Sequence, residues 1–256
     1  MRLLLIALLL VPTLGAAAEH CEYRLPQDAA VPLDGTTTVV FDIGRHHLVL
    51  AAGAAGGPVV MQGAACASSV ENLHLLKVTR THEGDKLVIR ARGGDEVASG
   101  WIGRNYANID LTATIPAGVP VQVRAGSGKV SASGVQDIDV AADSGQVEIH
   151  AAGGLVKLSL GTGEARVEDV GRLAIGTLGA GTIRVRNVAG DVDVDHVEDG
   201  DLSLRDIHGN VVVNAVGSGE VDVDTVTGNL TVHSLDPDGD VNVDEVDGSV
   251  SVPKAE

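Results

Sequence analysis

From about residue 116 to residue 252, apolar residues alternate with polar ones, and the alternation restarts after each glycine. Gly181 is followed by Ile183, Val185 and Val188, Gly190 by Val192, Val194 and Val197, and Gly200 by Leu202, Leu204 and Ile207. The same offsets return at Val211, Val213 and Val216, at Val221, Val223 and Val226, at Leu230, Val232 and Leu235, and at Val241, Val243 and Val246. A period of two, rich in Val and Ile, predicts short strands with one buried face. No part of this region keeps the 3.6-residue period of a helix.

The glycines form two interleaved series. Gly128, Gly145, Gly163, Gly181, Gly200, Gly219 and Gly239 recur at steps of 17 to 20 residues, and Gly134, Gly153, Gly171, Gly190, Gly209, Gly228 and Gly248 fall between them. The unit is therefore a half-repeat used twice per turn. One such strand cannot bury its apolar edge alone, whereas stacked copies bury a continuous narrow core. The predicted fold is all-β: a β-solenoid, β-helix-like, of about seven two-strand coils, roughly 34 Å long at the usual strand spacing. The glycines belong at its corners, where positive φ or close approach of the next coil penalises a side chain.

This frame accounts for the acidic run "GDVDVDHVEDGDL" beginning at Gly190. Asp191, Asp193 and Asp195 alternate with Val192 and Val194, which assigns them to the solvated face of a strand. A helix-loop-helix calcium loop needs a glycine just after its third ligand, and His196 and Val197 stand there instead. In register, the residues five after the first glycine of each coil run Glu168, Arg186, Arg205, Asp224, Asp244, a ladder that changes sign and then turns acidic. The acidic coils offer Asp222, Asp224 and Asp244 as a face for weak cation binding. They also discourage the terminal edge from recruiting further strands.

Residues 19 to 115 differ in texture and are expected to cap the first coil. They hold both cysteines, all four aromatic residues and less regular strands at 37–44, 46–53, 86–94 and 108–116. The Gly/Ala-rich stretch from Ala51 to Ala67 reads as a loop turning at Gly56-Gly57-Pro58, and Phe41 and Trp101 read as apolar plugs. Residues 116 to 252 are the repeats and 253 to 256 a short tail. Pro253 is the expected strand terminator.

Residues 1–18 have one arginine, an apolar run and small residues ending in Ala18, the layout of a signal peptide cleaved before Glu19. Export to the periplasm or the cell surface is the expectation, with no stable membrane insertion after cleavage. In an oxidising compartment the pair Cys21 and Cys66 most simply forms one disulfide, the alternative being two free thiols. Cys21 follows Ala-Glu-His, which does not suit lipoprotein processing.

"IDLTATIPAGVPVQVRAGSGKVSASG" (109–134), "SGQVEI" (144–149), "GSGEVDVDTVTGNLTV" (217–232) and "GDVNVDEVDGSVSV" (239–252) resemble the bacterial "putative adhesin" family of exported β-strand-repeat proteins, long labelled a domain of unknown function. The resemblance covers roughly residues 35 to 252. It implies a β-solenoid outside the cytoplasm and supplies no catalytic residues.

The charge narrows the partners. The net charge is −17, and from Arg186 to Glu256 seventeen acidic residues face three basic ones, a local balance of −14. Such a surface repels nucleic acid and anionic lipid. The repeats carry no aromatic platform for sugars, and no G-x-S-x-G elbow or complete G-x-G-x-x-G loop occurs. Adjacent residues on a strand face opposite ways, so His46 and His47 are a poor chelate, and the histidines read as ordinary surface residues. The sequence thus points to no catalytic, cofactor or metal site. The expected function is a non-enzymatic exported binding protein, an adhesin or envelope scaffold, whose ligand is an unidentified envelope or cell-surface component. The alternative is a periplasmic sensor or accessory module that recognises an envelope component or a cation through the acidic coils. An open solenoid end permits a homo-oligomer without establishing one.

Overall fold

The computed structural model describes residues 21–94 and 105–254. The expected signal peptide (1–18), Trp101 and the end of the tail (255–256) lie outside the described residues.

The chain opens with β1 (Tyr23–Pro26), β2 (Ala29–Val31), β3 (Thr38–Gly44), β4 (His47–Gly53) and β5 (Val59–Ala67). A six-residue helix, α1 (Val70–Leu75), precedes β6 (Lys77–Glu83), β7 (Lys86–Arg92) and β8 (Ala107–Pro116). Seven two-strand coils follow. They are β9 (Val121–Ala125) with β10 (Lys129–Ser133), β11 (Ile138–Ala142) with β12 (Gln146–His150), and β13 (Leu155–Leu160) with β14 (Glu164–Val170). Next come β15 (Arg172–Leu178) with β16 (Thr182–Val188), β17 (Val192–Val197) with β18 (Asp201–Ile207), and β19 (Val211–Val216) with β20 (Glu220–Val226). The seventh is β21 (Leu230–Leu235) with β22 (Asp240–Val246), and β23 (Val250–Ser251) begins another turn.

Each coil gives one strand to each of two facing sheets. The first sheet runs β1-β5-β8-β4-β10-β12-β14-β16-β18-β20-β22, with β2 paired to β5. The second runs β23-β21-β19-β17-β15-β13-β11-β9-β3-β7-β6. Pairing from β8 through β4 to β22, and from β7 through β3 to β23, is parallel throughout. The apolar residues between the sheets form one continuous core, and Val192, Val194 and Val197 are each fully buried in it.

In the first-sheet strands the three-residue step before the last apolar position has a backbone cause. Asp169, Asn187, Asp206, Thr225 and Glu245 occupy equivalent sites in successive first-sheet strands, with φ of 57°, 56°, 57°, 61° and 44°. A left-handed residue shifts the alternation by one, so two outward residues separate buried Val185 from buried Val188. Among the repeat glycines, Gly134 and Gly163 have positive φ, and most of the others are held by proximity. A Cβ on Gly145 would lie 2.0 Å from the carbonyl oxygen of Gly128, and one on Gly219 would lie 2.4 Å from that of Gly200. Side chains are excluded because the corners of successive coils touch.

The N-terminal region shares both sheets with the repeats. β3 and β4 form a coil of their own under the first repeat, and β7 and β8 another. The stretch Ala51–Ala67 is mostly strand, against the loop expected from its composition. β4 extends to Gly53, and β5 pairs antiparallel with β8 from Val60 to Ala67. Small residues suit this pairing: a Cβ on Gly63 would lie 2.1 Å from the Asp110 carbonyl oxygen, and Ala64, Ala65 and Ala67 are buried. Tertiary pairing here overrides weak strand propensity. Phe41 is fully buried in β3. Ser69 caps α1, its hydroxyl accepting the Asn72 N–H at 3.1 Å.

Candidate functional site

The outer face of the first sheet is built by repetition. Outward positions on consecutive parallel strands fall side by side, so each becomes a row running along the stack. The row predicted from sequence forms in register, with Glu168, Arg186, Arg205, Asp224 and Asp244 as successive Cα partners. A second row runs Ser131, Glu148, Arg166, Arg184, Ser203, Asp222, Asn242.

Charges along the rows are partly paired. Lys129 Nζ meets Glu148 Oε1 at 3.0 Å, Arg166 meets Glu164 at 2.7 Å, and Arg205 Nε meets Asp224 Oδ2 at 2.8 Å. Hydrogen bonds from Lys129 and Ser131 hold the Glu148 carboxyl below its ordinary value. Its contribution to stability is therefore complete above the unfolded-state value and lost as pH falls through the lowered one.

Of the three aspartates assigned to a cation face, Asp224 is engaged with Arg205 and Asp222 accepts from Asn242 Nδ2 at 3.1 Å. Asp244 lies beside Asp224. Asp224 and Asp244 share one row and Asp222 stands in the other, and among the described residues no group of three His, Cys, Asp or Glu side chains is placed to hold a metal ion.

The turn residues hold a device that the sequence reading assigned otherwise. Asp191 lies just before β17 rather than on its face, and its Oδ1 accepts the Asn210 N–H at 2.8 Å. Asn210 Oδ1 accepts the Asn229 N–H at 3.0 Å, and Asn229 Oδ1 accepts the Ser249 N–H at 2.9 Å. This Asx ladder ties each coil to the next through backbone donors that a corner leaves unmatched. The Gly-Asp and Gly-Asn pairs at 190, 209 and 228 are its sequence signal.

At the N-terminal end the first sheet carries a groove of ≈ 700 Å³. Its floor includes His47, Asp110 and Lys129, and its walls include Tyr106, Arg24 and the Cys21–Cys66 disulfide. The disulfide has a Cα–Cα distance of 5.3 Å and joins the chain before β1 to β5. Asp110 meets His47 Nδ1 at 2.9 Å and accepts from Asn108 Nδ2 at 2.8 Å. The arrangement fixes one imidazole edge and presents mixed charge, which suits binding of a polar ligand. His46 departs from the surface assignment. It is 1% exposed and sits in the turn before β4, where its Nδ1 accepts the Ile109 N–H at 3.2 Å. A buried acceptor aimed at a backbone donor gives it a structural role.

Two parallel sheets closed by glycine corners, with charged rows on a flat face, define a β-solenoid. The chain belongs to the Toastrack DUF4097 family, whose model matches residues 65–256. Its fold is similar to that of a "putative adhesin" from Bacteroides fragilis, at 14% identity and a TM-score of 0.52, covering 90% of this chain and 97% of that one. A "putative lipid binding protein" from Parabacteroides distasonis is also similar, at 11% identity and a TM-score of 0.45, covering 91% of this chain and 98% of that one. No curated protein matches the chain in sequence.

Proposed function

We propose that this protein is an exported, non-enzymatic binding scaffold of the cell envelope, acting as an adhesin or a surface scaffold through the outer face of its first sheet. The observation that carries the reading is the continuity of that face. Parallel strands from β8 to β22 share one register, so side-chain rows extend along the whole stack. Such rows favour many weak contacts with an extended partner over one enclosed reaction site. The disulfide supports an oxidising location, and the signal-like residues 1–18 support export. The solved "putative adhesin" of similar fold is consistent with the same role.

Protease accessibility on intact cells, compared with cells whose outer envelope is permeabilised, tests the reading. Digestion on intact cells is the expected result. Protection until permeabilisation would replace the adhesin with a periplasmic accessory module, and protection that persists after permeabilisation would refute export.

A further inference from the structure

Basic residues are scarce in the repeats, yet they are not dispersed. Between residues 151 and 253 the chain has Lys157, Arg166, Arg172, Arg184, Arg186 and Arg205. Four of these stand on three adjacent strands of the first sheet, β14, β16 and β18. Arg166 is the register partner of Arg184, and Arg186 that of Arg205. Like charges at neighbouring cross-strand positions destabilise a sheet, so a stack selected for stability alone would interleave them with carboxylates.

Local carboxylates answer only part of this repulsion. Glu164 takes both Arg166 and Arg184, and Asp224 takes Arg205. Arg186 has neither an ion pair nor a side-chain hydrogen bond among the described residues, although Glu168 is its register partner on the other side. Beside it the row contains Ser203, flanked in register by Arg184 and Asp222. The short serine leaves a depression of ≈ 340 Å³ lined by Arg184, Arg186, Ser203 and Arg205 together with Arg166 and Glu168.

We propose that Arg184, Arg186, Arg205 and the Ser203 hydroxyl form a binding site for one compact oxyanion, a phosphate, sulfate or carboxylate group carried by an otherwise uncharged ligand. Guanidinium groups recognise such oxygens through paired N–H donors, and the hydroxyl adds a further donor. The surroundings set the size of the ligand. Glu164 and Glu168 bound the island on one side, and Asp222, Asp224, Asp240 and Asp244 on the other. Strands lie roughly 4.8 Å apart, so these carboxylates fall within about a Debye length, ~10 Å, of the site. A polyanion laid along the stack, or a flat anionic bilayer, would meet them at once. A single anionic group fits between them. The site does not depend on where the protein resides, so it stands or falls separately from the envelope function.

The test is a titration of the purified protein with sodium phosphate, against sodium chloride at matched ionic strength, following the arginine Nε–H signals by NMR. Phosphate should shift Arg184 and Arg186 saturably, and chloride should not. Arg186→Gln should weaken the response at least tenfold without lowering the melting temperature, because it removes a like-charge contact. Lys157→Gln, an equal charge change on the second sheet, should leave the response intact. Repeating the titration with acetate and sulfate separates the sources: saturation by acetate identifies a carboxylate ligand, and saturation only by phosphate or sulfate identifies a tetrahedral one. Shifts that track ionic strength alone, an equal loss in Lys157→Gln, or a lower melting temperature for Arg186→Gln would overturn the proposal.

Discussion

The sixth and seventh coils carry nearly the same first-sheet strand, "EVDVDTV" in β20 and "DVNVDEV" in β22, with very different burial. Val223 is 2% exposed, whereas its register partner Val243 is 38% exposed. β20 is sandwiched between β18 and β22, whereas β22 has only β20 beside it among the described residues. The apolar pattern of a solenoid strand therefore specifies which face turns inward, and its neighbours decide how much burial that face obtains. The other end of the stack is finished differently. There β5 runs antiparallel to the parallel array and β1 antiparallel to β5, β6 reverses in the second sheet, and the Cys21–Cys66 disulfide fastens the outer strand. One end is closed by strand reversal and a covalent bond, and the other shows half-buried valines among acidic residues.

The largest expected effect breaks the interior of the stack. Val194→Asp would place a carboxylate at a fully buried site between two coils, with no partner. Unpaired charge burial belongs to the exceptional class above about 4 kcal/mol, so the variant should lose its cooperative thermal transition. Val243→Asp should lower stability far less, since its side chain already meets water, and Asp193→Asn on the outer face should change the melt by no more than about 0.5 kcal/mol. Similar melts for Val194→Asp and Val243→Asp would show that neighbours do not set burial in this stack.

Next in size is the covalent end. Cys66→Ser removes a link between residues separated by 45 positions, and loss of a disulfide of this kind typically costs about 2–4 kcal/mol. Hydrogen exchange would sharpen the comparison. In a stack governed by nearest-neighbour contacts, protection should fall in β1 and β5 and persist in β15 to β20. Uniform loss of protection would mean that the ends communicate through one cooperative unit.

Gly219→Ala tests the corners. Its Cβ would press on the Gly200 carbonyl oxygen, and overpacking a rigid backbone contact costs about 1–3 kcal/mol. Gly84 is the converse case, with φ +64° and nothing within 4 Å of an added Cβ, so Gly84→Ala reports backbone strain without close approach, whereas Gly219→Ala reports close approach without a positive φ. No loss in Gly219→Ala, measured by denaturant unfolding, would show that close approach contributes nothing.

These differences explain what could be read from sequence. The strands of the repeats and their inward residues were legible because period-two alternation and glycine spacing are local and repeated. The row from Glu168 to Asp244 was legible because parallel coils of nearly equal length align by counting. The groove was not, because Asp110 reaches His47 only through the pairing of β8 with β4, 63 positions apart in sequence at that contact. β5 was hidden by its alanines and glycines, which favour no strand alone and fit only beside β8. The left-handed positions were missed because attention to positive φ went to glycine, while Asp and Asn tolerate it as well.

The smallest effect is a gain, and it draws on that last point. Thr225 holds φ 61° in a column where Asn187 and Asp206 hold 56° and 57°. A β-branched residue is disfavoured there, whereas Asn adopts the conformation more readily. The same column shows what an Asn side chain can do, since Asn187 Nδ2 donates to Asp169 Oδ1, one coil back, at 2.6 Å. Thr225 stands one coil after Asp206 and directs its hydroxyl to Asp224 Oδ1 at 2.9 Å. Thr225→Asn would relieve backbone strain and could replace that local bond with one between coils. A gain of about 0.5–1 kcal/mol is expected, as for other substitutions that fit an existing backbone conformation. No rise in the denaturant midpoint would mean that the strain at this position is already offset by its neighbours. A rise in Thr225→Asn but not in Thr225→Gly would assign the gain to the bond between coils rather than to the backbone.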